Sequence, residues 1–212
     1  MKMEFHIHTP YSDGLNPIKY LKWYGRNKLL VITDHNTIRG SLEYKKYRPT
    51  IIAEEILCKR DDGRNVELIG LFINEEIPKG LHYMEVIDMI RAQGGLVVAP
   101  HPLDQARYGF GEDADKYVDI IEVFNAKIDD PIYNNRAQEI FKDSVKIVGS
   151  DAHYPLALNS TEIEIDEFDI DNPKDFLNKL KSAKFRVKYY SWPTRMLWRG
   201  WRIIRKILKN KK

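Results

Sequence analysis

The stretch MEFHIHTPYSDG, residues 3–14, combines a predicted β-strand with a group of polar side chains at its end. Apolar and polar residues alternate through MEFHIH, which is typical of a strand that ends near His8. The following TPYSDG is typical of a loop, and it carries Asp13. Because side chains two positions apart face the same side of a strand, His6 and His8 are predicted to point together.

Three further stretches place a histidine or an aspartate directly after an apolar strand. They are LLVITDH (29–35), LVVAPHP (96–102) and KIVGSDAH (146–153). Helical stretches alternate with these strands, which indicates a parallel α/β sheet or barrel. In such folds, functional side chains gather at the carboxyl ends of the strands. We therefore expect the polar residues of all these stretches to meet at one site.

The residue types in these stretches predict a metal site with several ions. Neutral imidazole nitrogens and carboxylate oxygens are ligands of zinc, manganese and iron. Burying so many ionisable groups together is unfavourable unless a cation neutralises them. A hydrolase is the class that follows. The sequence has no Walker lysine loop, G-x-S-x-G elbow or C-x-x-C pair, which argues against those mechanisms.

The order of the motifs resembles that of the polymerase and histidinol phosphatase (PHP) family of metal-dependent phosphoesterases. The motifs are HxHTxxSDG from His6, TDH, a glutamate, PHP around His101 and GSDAH up to His153. The resemblance implies a distorted seven-stranded (β/α) barrel, here over residues 1–190. It also implies two or three divalent metal ions, manganese, iron or zinc, and hydrolysis of phosphomonoesters or phosphodiesters.

The resemblance also implies which residues bind the metals. His6, His8 and Asp151 would bind one ion, and Asp13, His35 and His153 would bind another and take part in catalysis. Glu55 would bridge two ions, and His101 would bind a middle one.

Glu67 departs from the pattern, because many relatives have a histidine at this place. A carboxylate can still bind manganese or iron. A solvated glutamate, with only two metals bound, is the alternative. We predict that Glu67 is a ligand.

Three residues past strand ends are predicted to bind substrate: Arg107, Asn125 and Lys127. Arg107 follows the PHP motif in a loop, and arginine suits bidentate contact with phosphate. A phosphomonoester such as a nucleotide or a sugar phosphate is the favoured substrate. The alternatives are an exonuclease on short oligonucleotides and a nucleic-acid- or membrane-binding module with a degenerate metal site.

Charge is distributed unevenly along the 212 residues. Residues 176–212 contain 13 of the 34 basic residues and none of the 31 acidic ones. Residues 191–212, SWPTRMLWRGWRIIRKILKNKK, predict a cationic amphipathic helix. It could pack on the barrel, contact an anionic membrane surface or bind nucleic acid. Because no predicted ligand follows His153, we expect this helix to be separate from catalysis.

Cys58 is the single cysteine, which excludes an internal disulfide and suits a reducing compartment. It follows an apolar stretch, so we expect a buried thiol. The first ten residues have no apolar segment like that of a secretory signal, and no window approaches the length of a membrane span. We expect a cytoplasmic protein, with peripheral membrane contact through the C-terminal helix as an open alternative. The sequence leaves the oligomeric state open.

Overall fold

The computed structural model describes residues 1–191, 193–196 and 200, and these form nine β-strands and five α-helices. The strands are β1 (Lys2–Ile7), β2 (Leu29–Ile32), β3 (Ala53–Lys59), β4 (Asn65–Leu71), β5 (Leu96–Ala99), β6 (Ile120–Asn125), β7 (Lys146–Gly149), β8 (Thr161–Glu164) and β9 (Lys184–Val187). The helices are α1 (Ile18–Tyr24), α2 (Arg39–Lys45), α3 (Tyr83–Ala92), α4 (Pro131–Ile140) and α5 (Pro173–Leu180).

The strands form two sheets, so the prediction of a distorted seven-stranded (β/α) barrel of PHP type is wrong. A four-stranded sheet has the order β2-β1-β8-β9, and a five-stranded sheet has the order β3-β4-β5-β6-β7. Helices alternate with only some of the strands. β4 runs antiparallel to both of its neighbours, β3 and β5, whereas β5, β6 and β7 are parallel.

The reason for the split lies in the pairing of β1. One edge of β1 pairs with β2 in parallel, and the other pairs with β8 antiparallel at Lys2 and Met3. Beyond Met3, the same edge of β1 forms no ladder with β7 and instead bonds to the segment just after it, where the backbone N–H of Ser150 donates to the carbonyl of Phe5 at 2.9 Å. The two sheets are linked by the isolated bridges Ile7–Ala152 and His35–Glu55. Both bridges include residues of the predicted site or their neighbours.

The core lies between the sheets and the helices that cover them. In α3, Val86, Ile87 and Ile90 are fully buried. The helix begins after His82, whose ring accepts a hydrogen bond from the backbone N–H of Met84. Each fully buried aliphatic side chain of this kind contributes about 1.5–3 kcal/mol to folding. These contacts pack α3 against β3, β4 and β5.

Most of the predicted C-terminal helix, over residues 191–212, lies outside the described residues. Residues 193–196 form a helical turn. The domain boundary at residue 190 and the tail's contact with membrane or nucleic acid stay predictions. Within the described part of the chain, no helix has the length and apolar character that a membrane span requires.

Candidate metal centre

Nine side chains with metal-binding atoms lie together where the two sheets meet. They form four overlapping groups, in each of which the ligand atoms lie within 4.8 Å of one another. The groups are His8, Asp13, His35 and His153; His6, His8 and Glu55; His6, His101 and Asp151; and His35, Glu55 and Glu67. The structure thus brings together all nine residues predicted as ligands. They are called the ligand cluster below.

The inner end of the ligand cluster is organised by Glu122, a residue that the sequence analysis missed. Its Oε1 lies 2.7 Å from His6 Nδ1, and its Oε2 accepts a hydrogen bond from the backbone N–H of His101 at 2.8 Å. Glu122 also accepts a hydrogen bond from Asn125 Nδ2 at 2.9 Å. A carboxylate behind a histidine fixes the tautomer and directs the other ring nitrogen toward the metal.

Gly149 makes room for this carboxylate. A Cβ at residue 149 would collide with Oε1 of Glu122 and would lie 3.0 Å from Cβ of His6. Glycine is therefore required on β7 for Glu122 to reach His6. This observation explains the glycine before the Ser-Asp-Ala-His motif.

Several buried ring nitrogens fit a role as metal ligands. Within the described residues, no hydrogen-bond partner is found for His6 Nε2, for either ring nitrogen of His8 or for His101 Nδ1. All three rings are buried, and an unsatisfied buried polar atom is unfavourable by about 1–3 kcal/mol. Their convergence on neighbouring carboxylates, such as Glu55 Oε2 at 3.3 Å from His6 Nε2, fits a divalent cation.

Burial keeps most of these imidazoles in the neutral form that binds metals. Burial, with His153 and His35 nearby, lowers the pKa of His8 well below its ordinary value. Burial is also the largest cause that lowers the pKa values of His101 and His153 to about 4. His6 differs: burial lowers its pKa, but the carboxylates of Glu122 and Glu55 outweigh burial and raise it to about 9.

The outer end of the ligand cluster reaches solvent through Asp13 and His35. His153 Nε2 lies 3.1 Å from Asp13 Oδ1, and His35 Nε2 lies 3.6 Å from the same atom. The side chains of Asp13 and His35 are 23% and 28% exposed, whereas His153 is buried. Water therefore has access at this end.

Asp34 braces the loop that carries Asp13. Its carboxylate accepts hydrogen bonds from Thr9 N at 2.7 Å and from Ser12 Oγ at 2.6 Å. It acts on the loop and does not belong to the four candidate ligand groups.

Glu55 and Glu67 both face the ligand cluster from adjacent antiparallel strands. Glu55 Oε2 lies 3.1 Å from His35 Nδ1, and Glu67 Oε1 lies 3.6 Å from that nitrogen. Glu67 is buried, which excludes a merely solvated carboxylate. Glu54 points the other way and accepts a hydrogen bond from the backbone N–H of Ile77 at 2.7 Å.

Three residues of the ligand cluster have left-handed backbones. The φ angles are 68° at His6, 31° at His101 and 49° at Asp151. Such conformations are unfavourable by about 1–3 kcal/mol each for residues other than glycine, and they concentrate at functional sites. At His6, the conformation coincides with an irregularity in the pairing of β1 with β2.

The predicted substrate-binding residues converge on Asp151. Lys127 Nζ lies 3.1 Å from Asp151 Oδ1, and Arg107 Nη2 forms an ion pair with Asp151 Oδ2. Asn125 is buried, and its Nδ2 donates to Asp151 Oδ2 at 3.2 Å as well as to Glu122. Asn125 Oδ1 accepts from Arg107 at 3.1 Å. This geometry favours an orienting role for Asn125 over the predicted contact with substrate.

A cavity of about 300 Å³ opens above the ligand cluster. Its wall includes Arg107, Lys127 and Tyr190, and also Arg195 from the tail that was expected to be separate from catalysis. No local signal identified the last two, because they follow the final strand and carry no motif. The cavity combines candidate metal ligands at its base with cationic side chains on its wall.

Three solved structures have a similar fold. PsfC from Pseudomonas syringae aligns with a TM-score of 0.62 at 14% identity, over 98% of this chain and 98% of that one. A candidate metal-dependent phosphoesterase from Bifidobacterium adolescentis gives 0.57 at 18% identity, over 71% and 87%. An amidohydrolase from Chromobacterium violaceum gives 0.55 at 14% identity, over 72% and 88%. The chain has the fold that these proteins share.

Two relatives from Methanocaldococcus jannaschii define the family. Uncharacterized protein MJ1587 is 40% identical over 153 residues, which cover 65% of this chain and 89% of the relative. Uncharacterized protein MJ0417 is 33% identical over 220 residues, covering 92% and 88%. The chain belongs to the family of these two proteins. No protein-family model matches it.

Proposed function

We propose that the protein is a metal-dependent phosphoesterase that hydrolyses a small phosphomonoester, such as a nucleotide or a sugar phosphate. One observation carries this proposal: Arg107 and Lys127 line the same cavity as the ligand cluster. Guanidinium and ammonium groups bind phosphate oxygens strongly. The cavity of about 300 Å³ lies at the small end of the range of ligand pockets, which favours a small ester over an oligonucleotide.

The ligand cluster is proposed to hold two or three divalent ions. Its imidazoles and carboxylates suit manganese, iron or zinc. Such ions supply Lewis acidity that activates water near neutral pH and stabilises the charge of the reacting phosphate. Among the residues of the chain, Glu122 fixes His6, Asn125 orients Asp151, and Arg107 and Lys127 bind and orient the phosphate. Asp13, His35 and His153 are the proposed catalytic group, because water reaches the cluster at their end.

The similar structures support this choice of chemistry. One of them is described as a candidate metal-dependent phosphoesterase. The amidohydrolase from Chromobacterium violaceum contains bound sulfate, an oxyanion with the shape and charge of phosphate. The cationic side chains Arg107 and Lys127 on the wall of the present cavity suit a tetrahedral oxyanion of this kind.

The test is a hydrolase screen of the purified, metal-stripped protein after reconstitution with Mn²⁺, Fe²⁺ or Zn²⁺. The substrates are nucleoside monophosphates, sugar phosphates, dinucleotides and cyclic amides. We expect release of phosphate from monoesters. His8→Ala should lower the rate at least about 100-fold, since even loss of an outer-shell partner lowers activity 10–100-fold. His82→Asn is the matched control, because His82 caps α3 outside the ligand cluster.

Three outcomes would contradict the proposal. One is the absence of ester hydrolysis with all three metals, and another is equal activity of His8→Ala and His82→Asn. Hydrolysis of amides without hydrolysis of esters would assign the protein to the other reaction class.

A further inference from the structure

The segment that follows β9 forms one wall of the cavity. Tyr190 is buried, and its hydroxyl lies 2.8 Å from the carbonyl oxygen of Ser150 and 2.7 Å from that of Asp151. The backbone N–H of Tyr190 donates to the carbonyl of Ala126 at 3.1 Å. The segment therefore joins the loops after β6 and β7, which carry Lys127 and Asp151.

Arg195 lies in the helical turn at residues 193–196, and the chain holds its guanidinium in place. Nε donates to the carbonyl of Tyr190 at 3.2 Å, and Nη2 donates to that of Ile128 at 3.1 Å. Nη1 donates to both the carbonyl and Oδ1 of Asp129, at 3.3 and 2.9 Å. These bonds use four of the five N–H donors of an arginine. Within the described residues, they leave one Nη2–H without an acceptor.

This arrangement differs from that of the other two cations in the cavity. Arg107 and Lys127 both contact Asp151, a candidate metal ligand. The contacts of Arg195, including its ion pair with Asp129 at 2.9 Å, lie outside the ligand cluster, so the position of its guanidinium does not depend on the contacts of Asp151. A guanidinium that is held rigidly loses little side-chain entropy when it binds an anion.

We propose that Arg195 is a substrate-binding residue that contacts the phosphoryl oxygens, and that Tyr190 positions the segment that carries it. The proposal rests on the proposed function, because it assigns the phosphate to the same cavity. It makes the segment after β9 part of the site, whereas the sequence analysis treated the tail from residue 191 as separate from catalysis. Arg195 contributes affinity for the substrate and not for the metal.

The test measures binding of inorganic phosphate to the full chain loaded with Mn²⁺, by calorimetry. Arg195→Gln should weaken phosphate binding about tenfold, the size expected for one lost charge-assisted hydrogen bond. Its affinity for Mn²⁺ should stay at the wild-type value. Arg186→Gln is the matched control, because Arg186 is exposed on β9 and pairs with Glu162 at 3.3 Å. It removes the same charge from outside the cavity wall and should bind phosphate as the wild type does.

Unchanged phosphate binding by Arg195→Gln would overturn the proposal, as would an equal loss in Arg186→Gln. A loss that accompanies weaker Mn²⁺ binding would also overturn it, because Arg195 would then act on the ligand cluster. A second measurement does not need a folded variant. Phosphate should protect Arg195 of the wild-type protein, but not Arg186, from modification by phenylglyoxal mapped by mass spectrometry. Equal modification of Arg195 with and without phosphate would contradict the proposal.

Failure of this inference is distinguishable from failure of the proposed function. If the wild type hydrolyses no phosphate ester but Arg195→Gln still loses phosphate affinity, the binding role stands and the activity does not. If esters are hydrolysed and the variant binds phosphate normally, the activity stands and the role of Arg195 does not.

Discussion

Replacement of Glu122 by glutamine tests how the protein prepares its metal site. The carboxylate accepts at Oε2 from His101 N and Asn125 Nδ2, and at Oε1 it lies 2.7 Å from His6 Nδ1. An amide has a single oxygen, which can satisfy the contacts at Oε2. Its NH2 group then faces His6 Nδ1, which must accept a hydrogen bond. The remaining proton of the ring moves to Nε2, the atom that faces the ligand cluster, and blocks it as a ligand.

We therefore expect Glu122→Gln to weaken metal binding by about 10–100-fold, the usual effect of removing an outer-shell partner. The assay is calorimetric titration of the metal-free variant with Mn²⁺. The control is Glu4→Gln, because Glu4 is also a buried strand carboxylate but contacts Tyr24 and Asn159 instead of the ligand cluster. The control should change the melting temperature without changing the affinity for Mn²⁺. If the affinity of Glu122→Gln for Mn²⁺ lies within about twofold of the wild-type affinity, Glu122 does not orient His6 for metal binding.

Three further predictions concern the fold around the site. Gly149→Ala should lower the free energy of unfolding by about 1–3 kcal/mol through overpacking against Glu122; an unchanged denaturant midpoint would show that the strand relaxes freely. Burial raises the pKa of the Cys58 thiol to about 12, so iodoacetamide should label this thiol at about pH 8 only after the protein is denatured. Rapid labelling of the native protein would contradict the burial of Cys58. A hydrogen bond from Arg60 lowers the pKa of Asp113, so the pair stabilises the fold above the ordinary carboxyl pKa and loses this effect as pH falls through the lowered value. The difference in free energy of unfolding between the wild type and Asp113→Asn should therefore shrink as the pH is lowered from about 6 to about 3. A difference that stays constant over this range would show that the ion pair does not cause it.

The ligand residues were predictable from local patterns together with the resemblance of the motif order to the PHP family. His8, His101 and Asp151 all come at or just past the end of a short apolar strand, and their side-chain chemistry is specific. Because neighbouring residues of a strand face opposite sides, only one of Glu54 and Glu55 could face the site, and the family resemblance favoured Glu55. These signals come from sequence neighbours and from the order of the motifs along the chain, so they survive an error in the global topology.

The parts that could not be predicted depend on contacts between distant segments. In the sequence, Glu122 is a single charged residue within an apolar strand. Only the fold brings β1 and the end of β5 beside it. The pairing of β1 with β8 joins residues about 160 positions apart, and no local pattern records which partner takes that edge. Tyr190 and Arg195 reach the cavity through contacts of the same long-range kind.

Anomalous X-ray diffraction from crystals of the protein grown with Mn²⁺ tests directly whether the ligand cluster binds metal. A metal centre at this place predicts at least two anomalous peaks among the nine residues of the ligand cluster, about 4 Å apart, the spacing of two-metal hydrolases. One of these peaks should lie next to His6 Nε2. If the protein binds manganese in solution but the crystals show no peak in the ligand cluster, or show peaks only elsewhere on the chain, the ligand cluster is not the metal site.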